Sequence, residues 1–80
     1  PMRFKVAVQM DPLEGINIDT DSSFAMMLEA QRRGYEVFHY LASDLSLRGG
    51  SLTARARKAE LRREKGRHFS FSEVLTLDLA

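Results

Sequence analysis

No cysteine occurs among the 80 residues. A secreted domain of this size ordinarily depends on disulfide staples, so a cytoplasmic origin is favoured. With no thiol and only two histidines far apart in sequence, His39 and His68, the usual zinc arrangements are excluded too. No stretch approaches the roughly 18 apolar residues of a membrane span. The apolar run near the N-terminus is cut by Asp11-Pro12, and no small-residue cleavage site follows it. It reads as a strand rather than a signal peptide. Neither Gly-x-Gly-x-x-Gly nor Gly-x-x-x-x-Gly-Lys-Ser/Thr occurs, so dinucleotide and P-loop sites have no support. Net charge is only +1, which speaks against a protein built mainly to coat nucleic acid.

What remains is a soluble composition, 44% hydrophobic and 29% charged, on a chain long enough for one small domain. Such a chain buries roughly 60% of its unfolded surface, so its core is thin. Pro1 ahead of Met2 suggests Met2 as the expected natural start. Charge is segregated along the sequence. Arg48, Arg55, Arg57, Lys58, Arg62, Arg63, Lys65 and Arg67 cluster in one stretch, whereas Asp11, Glu14, Asp19 and Asp21 lie in an early loop.

Phe4 to Met10 alternates apolar and polar residues and predicts a strand, ended by Asp11-Pro12. Leu13 to Thr20 is a loop that bends at Gly15. Asp21 is then the favoured N-cap of a helix. Phe24, Met27, Leu28 and Gln31 fall on one helical stripe, Arg32 and Arg33 suit the C-terminal end of the dipole, and Gly34 suits the C′ position. Tyr35 to Leu41 is a second strand, with Tyr35, Val37 and Leu41 on one face and Phe38 and Tyr40 on the other. Strand, helix and strand form a βαβ unit with parallel strands. Ser43-Asp44-Leu45 suits one helical turn, and Arg48-Gly49-Gly50 a hairpin turn. Residues 51–64 read two ways: their composition favours a helix, but Leu52, Ala54 and Ala56 keep the strand period. Phe69, Phe71, Val74, Leu75, Leu77 and Leu79 make an apolar tail.

Asp19 to Ser23 is the strongest candidate site. Free N–H groups and the helix dipole there suit a carboxylate or phosphate. The hydroxyls of Ser22 and Ser23 add contacts, and Asp21 suits an ammonium group. Simple capping explains the same residues and is the commoner reason for such a cluster. The basic stretch from Arg48 to Arg67 is a candidate nucleic-acid surface, but without interleaved aromatics it reads better as a solvated face. His39 has no nucleophile arranged around it and reads as structural. The four methionines read as core filler.

Asp11-Pro12, Ile16-Asn17-Ile18, the run Asp21-Ser22-Ser23-Phe24-Ala25-Met26 and the run Leu28 to Glu36 (LEAQRRGYE) occur in order. Together they resemble the N-terminus of bacterial glutathione synthetase. The resemblance continues more weakly through Asp44-Leu45, Ala54-Arg55-Ala56 and Phe69-Ser70-Phe71. It implies an α/β, Rossmann-like pre-ATP-grasp domain over residues 1–80, with a small, mostly parallel sheet, one main helix and a β-hairpin. It also implies a strand over about Leu52–Leu61, against propensity.

For the parent protein the resemblance implies an ATP- and magnesium-dependent ligase. That ligase joins γ-glutamylcysteine to glycine through an acyl phosphate. Members are several times longer than this chain, and no residue here matches their nucleotide or metal sites. The expectation is therefore an N-terminal fragment, inactive alone, that binds neither ATP nor Mg²⁺. Carried over from the family, Asn17, Asp21, Ser22 and Ser23 are the expected substrate-facing residues. A sheet cut before its next strand leaves an open edge, which predicts a homo-oligomer. The competing classes are a stand-alone interaction or regulatory module on the same fold and a weak nucleic-acid binder acting through Arg48–Arg67.

Overall fold

The computed structural model describes residues 4–79, so the reading of Pro1 and Met2 lies outside the described residues. The elements are β1 (Lys5–Gln9), a 3₁₀ turn (Leu13–Gly15), α1 (Ser22–Arg32), β2 (Glu36–Tyr40), a second 3₁₀ turn (Ala42–Asp44), β3 (Leu45–Arg48), β4 (Ser51–Leu61) and β5 (Phe69–Asp78). Among the described residues one α-helix packs on a five-stranded sheet.

α1 begins and ends as its caps dictate. The Asp21 carboxylate accepts the Phe24 N–H at 2.8 Å, which satisfies one of the donors a helix start leaves open. At the other end Gly34 takes φ +87°. There the Gly34 N–H donates to the Gln31 carbonyl and the Tyr35 N–H to the Ala30 carbonyl. This is the paired closure that a glycine C′ permits. Phe24 and Met27 are fully buried and Leu28 packs beside them. Gln31, on the same stripe, does something other than pack. Its amide nitrogen donates to the Leu61 carbonyl at 2.9 Å, and its amide oxygen accepts the Leu61 N–H at 2.8 Å. Leu61 already pairs with Phe69 across the β4–β5 ladder. The glutamine side chain thus serves the opposite edge of β4 in place of a strand.

The expectation of a mostly parallel sheet is corrected by the pairing. Only β1 and β2 are parallel; β4 runs antiparallel to β2, β3 and β5. Connection length is the reason. A parallel pair needs a crossover of a dozen or more residues, and only the α1 segment supplies one. Gly49 and Gly50, both at positive φ, make the two-residue turn between β3 and β4, a geometry that twists with the strands it joins. Residues 62–68 return the chain from β4 to β5.

Residues 51–61 form a strand although their composition favours a helix. β4 is hydrogen-bonded along both edges, by β2 and β3 on one side and by β5 on the other. Tertiary pairing of that kind overrides a propensity difference of tenths of a kcal/mol per residue (~0–0.7). Ala54 and Ala56 are fully buried under Phe38 and Tyr40, while Ala59 and Leu61 join the helix-side core. Two small cores result, one on each face of the sheet. The first holds Leu13, Phe24, Met27 and Val37; the second holds Phe38, Tyr40, Ala54 and Ala56, with Leu45, Leu75, Leu77 and Leu79 against it.

β5 serves both cores by a change of register. From Arg57 to Ala59 takes two steps on β4, and the matching partners run from Val74 to Phe71, three steps on β5. The extra residue is a β-bulge, and it reverses which face later side chains take. Phe69 therefore reaches the helix side while Leu75 and Leu77 reach the other, though all three are odd-numbered.

Candidate functional site

β1 and β2 run parallel, so their carboxyl ends open side by side. An open cleft of about 590 Å³ lies there. Its first wall is the end of β1 and the loop that leaves it, Gln9 through Pro12 with Ile16. Its second is the start of α1, through Asp21 and Ser23. Its third is Leu41, Ala42 and Ser43, immediately after β2. In open α/β sheets ligands bind in this place.

The four predicted residues divide. Asp21 and Ser23 line the cleft. Asn17 lines a separate recess of about 380 Å³ together with Lys65, Gly66 and His68. Its side-chain oxygen accepts the Asp19 N–H at 3.0 Å, and its carbonyl accepts the N–H groups of Thr20 and Asp21. Asn17 thus shapes the approach to the helix. Ser22 is exposed and lines neither space.

The third wall escaped sequence reasoning. Its signal was positional: in a βαβ unit the residues after the second strand stand beside those after the first. The Asp44 carboxylate holds this wall by accepting the Leu41 N–H at 2.8 Å, while the Asp44 N–H donates to the Leu41 carbonyl at 2.9 Å.

The charge in the cleft is one-sided. Asp11 and Asp21 line it and, among the described residues, no Lys, Arg or His does. Two carboxylates attract an ammonium group. The first N–H groups of α1 lack intrahelical partners by geometry and, with the Ser23 hydroxyl, suit an anionic oxygen. An arrangement of this kind fits a small zwitterion better than a polyphosphate. Among the described residues no three potential metal ligands cluster.

The basic stretch is largely engaged within the fold. Arg63 donates to the Ile18 carbonyl at 3.0 Å and lies over the Phe24 ring. Lys65 meets Asp19 at 3.0 Å. Lys58 bridges Glu36 and Glu73, and Arg62 reaches Glu60, the Arg67 carbonyl and Ser70. Arg63 and Lys65 thus tie the return of the chain after β4 to the loop that feeds α1, while Lys58 and Arg62 stay within the sheet and its return. No helix among the described residues is long and apolar enough to cross a membrane.

A family model described as the N-terminal domain of prokaryotic glutathione synthetase matches residues 4–80. Among similar proteins, the glutathione synthetase of Agrobacterium fabrum is 53% identical over 75 residues, which is 94% of this chain and 24% of the relative. That of Brucella melitensis is 49% identical over 78 residues, 98% of this chain and 25% of the relative. That of Mesorhizobium japonicum is 48% identical over 79 residues, 99% of this chain and 25% of the relative. The chain thus spans about a quarter of the length of the curated relatives it matches. A match that runs through all three walls of the cleft and both cores identifies the domain: the chain belongs to the family of prokaryotic glutathione synthetase N-terminal domains.

Proposed function

We propose that this chain, as one domain, forms the substrate-facing N-terminal part of a cytoplasmic ATP-dependent ligase that joins γ-glutamylcysteine to glycine. The observation that carries the reading is the cleft at the carboxyl ends of β1 and β2, where Asp21 and Ser23 meet at the start of α1. The γ-glutamyl end of the dipeptide carries an ammonium and a carboxylate on one carbon. Asp11 and Asp21 suit the first, and the opening N–H groups of α1 with the Ser23 hydroxyl suit the second. Their contribution is orientation: a substrate held in register for attack reacts faster without any bond being made by these groups.

In this reading β1, α1 and β2 are the Rossmann-like half of a pre-ATP-grasp domain. ATP and Mg²⁺ would activate the dipeptide carboxylate as an acyl phosphate, which the glycine amine then attacks. The residues of this chain do not fit either group. The cleft offers carboxylates where phosphates need cations, and among the described residues no set of metal ligands comes together. We therefore place both groups in the part of the relatives that this chain does not match, and propose that the chain is inactive alone.

Calorimetry tests the substrate reading. γ-Glutamylcysteine is expected to bind in the millimolar range or tighter, with loss of affinity in Ser23→Ala and in an N-acetylated dipeptide. Unchanged heats for Ser23→Ala, or none for the wild-type chain, would sink it. β1 stands at the end of the strand order and pairs only with β2 among the described residues. We propose that this open edge supports self-association. Light scattering that shows only monomer at high concentration would refute that part.

A further inference from the structure

The segment from Met10 to Asp21 is long, and its only regular structure is one 3₁₀ turn. Its carbonyl groups therefore need partners from elsewhere. Two come from histidines distant in sequence. His39, in the middle of β2, places Nε2 at 3.1 Å from the Asp11 carbonyl. His68, just before β5, places Nε2 at 2.5 Å from the Leu13 carbonyl. Both side chains are buried, 2% and 7% exposed. Aromatic contacts hold both rings: His39 stacks on Phe71, and His68 meets Phe24 and Phe69 edge-on.

A carbonyl oxygen can only accept, so Nε2 must carry the proton in each ring. The Nδ1 atoms are buried and have no hydrogen-bond partner among the described residues. A proton there would be an orphaned donor, which folded proteins avoid more strictly than an under-used acceptor. Geometry thus selects the same tautomer, Nε2–H, in both histidines. The anchored carbonyls flank Pro12 on the stretch that forms the first wall of the cleft.

We infer that His39 and His68 are positioning residues: as Nε2–H tautomers they clasp the β1–α1 loop and so fix the distance between the Asp11–Pro12 wall and Ser23 across the cleft. The inference rests on the proposed function only for the identity of what the cleft holds. The clasp deepens the role of His39, expected from sequence to be merely structural, and gives His68 one that sequence did not suggest.

Heteronuclear NMR of the imidazole nitrogens in the unaltered chain is expected to show Nε2–H for both rings. Amide exchange then reads the loop directly. In His39→Phe and His68→Phe, which keep a ring but lose the donor, exchange at Met10 and Gly15 is expected to accelerate roughly tenfold, the worth of about one hydrogen bond. Exchange within α1 should stay unchanged. Gln variants, which restore a donor, should recover most of the protection. Affinity for γ-glutamylcysteine should fall in the Phe variants by a similar factor and return with Gln. An Nδ1–H signature in either ring, or loop exchange indifferent to the Phe changes, overturns the clasp. If a Phe variant fails to fold, the tautomer in the unaltered chain still decides. If tautomer and exchange come out as expected while the dipeptide gives no heat, the clasp stands and the substrate reading falls.

Discussion

Replacing Gln31 by alanine removes the side chain that serves Leu61 on the edge of β4 opposite β5. Two hydrogen bonds to the Leu61 backbone disappear together. Each is worth a net ~0.5–1.5 kcal/mol when made, and a buried group left without a partner costs ~1–3 kcal/mol. Leu61 is 2% exposed, so water does not readily replace both bonds. Gln31 itself is half-buried, and the space it vacates admits water to one of the two groups. The expected loss is therefore about 2–4 kcal/mol. Total stability for a domain of this size is roughly 4–12 kcal/mol, so the change is severe. At ~4–8 °C per kcal/mol, a loss near the lower bound displaces Tm by roughly 8–16 °C. Urea unfolding followed by circular dichroism measures the same quantity as a fall in midpoint at unchanged slope. A loss below about 0.5 kcal/mol would refute the reasoning, because it would mean that the Leu61 backbone finds other partners without cost.

Asp21→Ala tests the capping function separately from any ligand. Removing the acceptor for the Phe24 N–H should cost ~0.5–2 kcal/mol, and Asp21→Asn, which keeps a cap, should recover most of it; equal losses for both would contradict the assignment. Glu29 bears on acid stability. Hydrogen bonds from Arg32 and then Arg33 hold its carboxyl at about 2, down from 4.5. A depressed carboxylate stabilises the fold above the unfolded value and ceases to do so as pH falls through the folded one. Glu29 should therefore contribute fully above about 4.5 and lose its contribution between there and about 2. Glu29→Gln should flatten the fall in stability over that window, and an unchanged pH profile of Tm would show that the triad has no weight.

The helix and its flanks were legible because each signal is local. Asp21, the Phe24–Met27 stripe and Gly34 announce a start, a face and a stop within one another's reach. Gly49-Gly50 announces the hairpin for the same reason. At 52–61 the alternation of Leu52, Ala54 and Ala56 signalled a strand, but Arg, Lys, Glu and Ala there favour a helix until β2, β3 and β5 occupy both edges, so the family resemblance made the choice. Sheet direction was misjudged because one βαβ unit was extended to strands that short turns force to run antiparallel. In the cleft, Asp21 and Ser23 were found from their place at a helix start. The wall after β2 was not, because Leu41, Ala42 and Ser43 carry no distinctive chemistry. Nor could sequence show that Gln31, His39 and His68 bond to backbone groups between 28 and 55 residues away.

The bulge in β5 has a consequence for how the chain tolerates change in length. Ser72 and Glu73 together stand opposite the single residue Lys58, and both are exposed. Substitution at either should matter little. Deleting one of them restores simple alternation and sends either Phe69 and Phe71 or Leu75, Leu77 and Leu79 to the wrong face. One core would then be stripped whichever way the strand settled. The segment is thus permissive in composition and strict in count, so a lost residue there does more harm than almost any exchanged one.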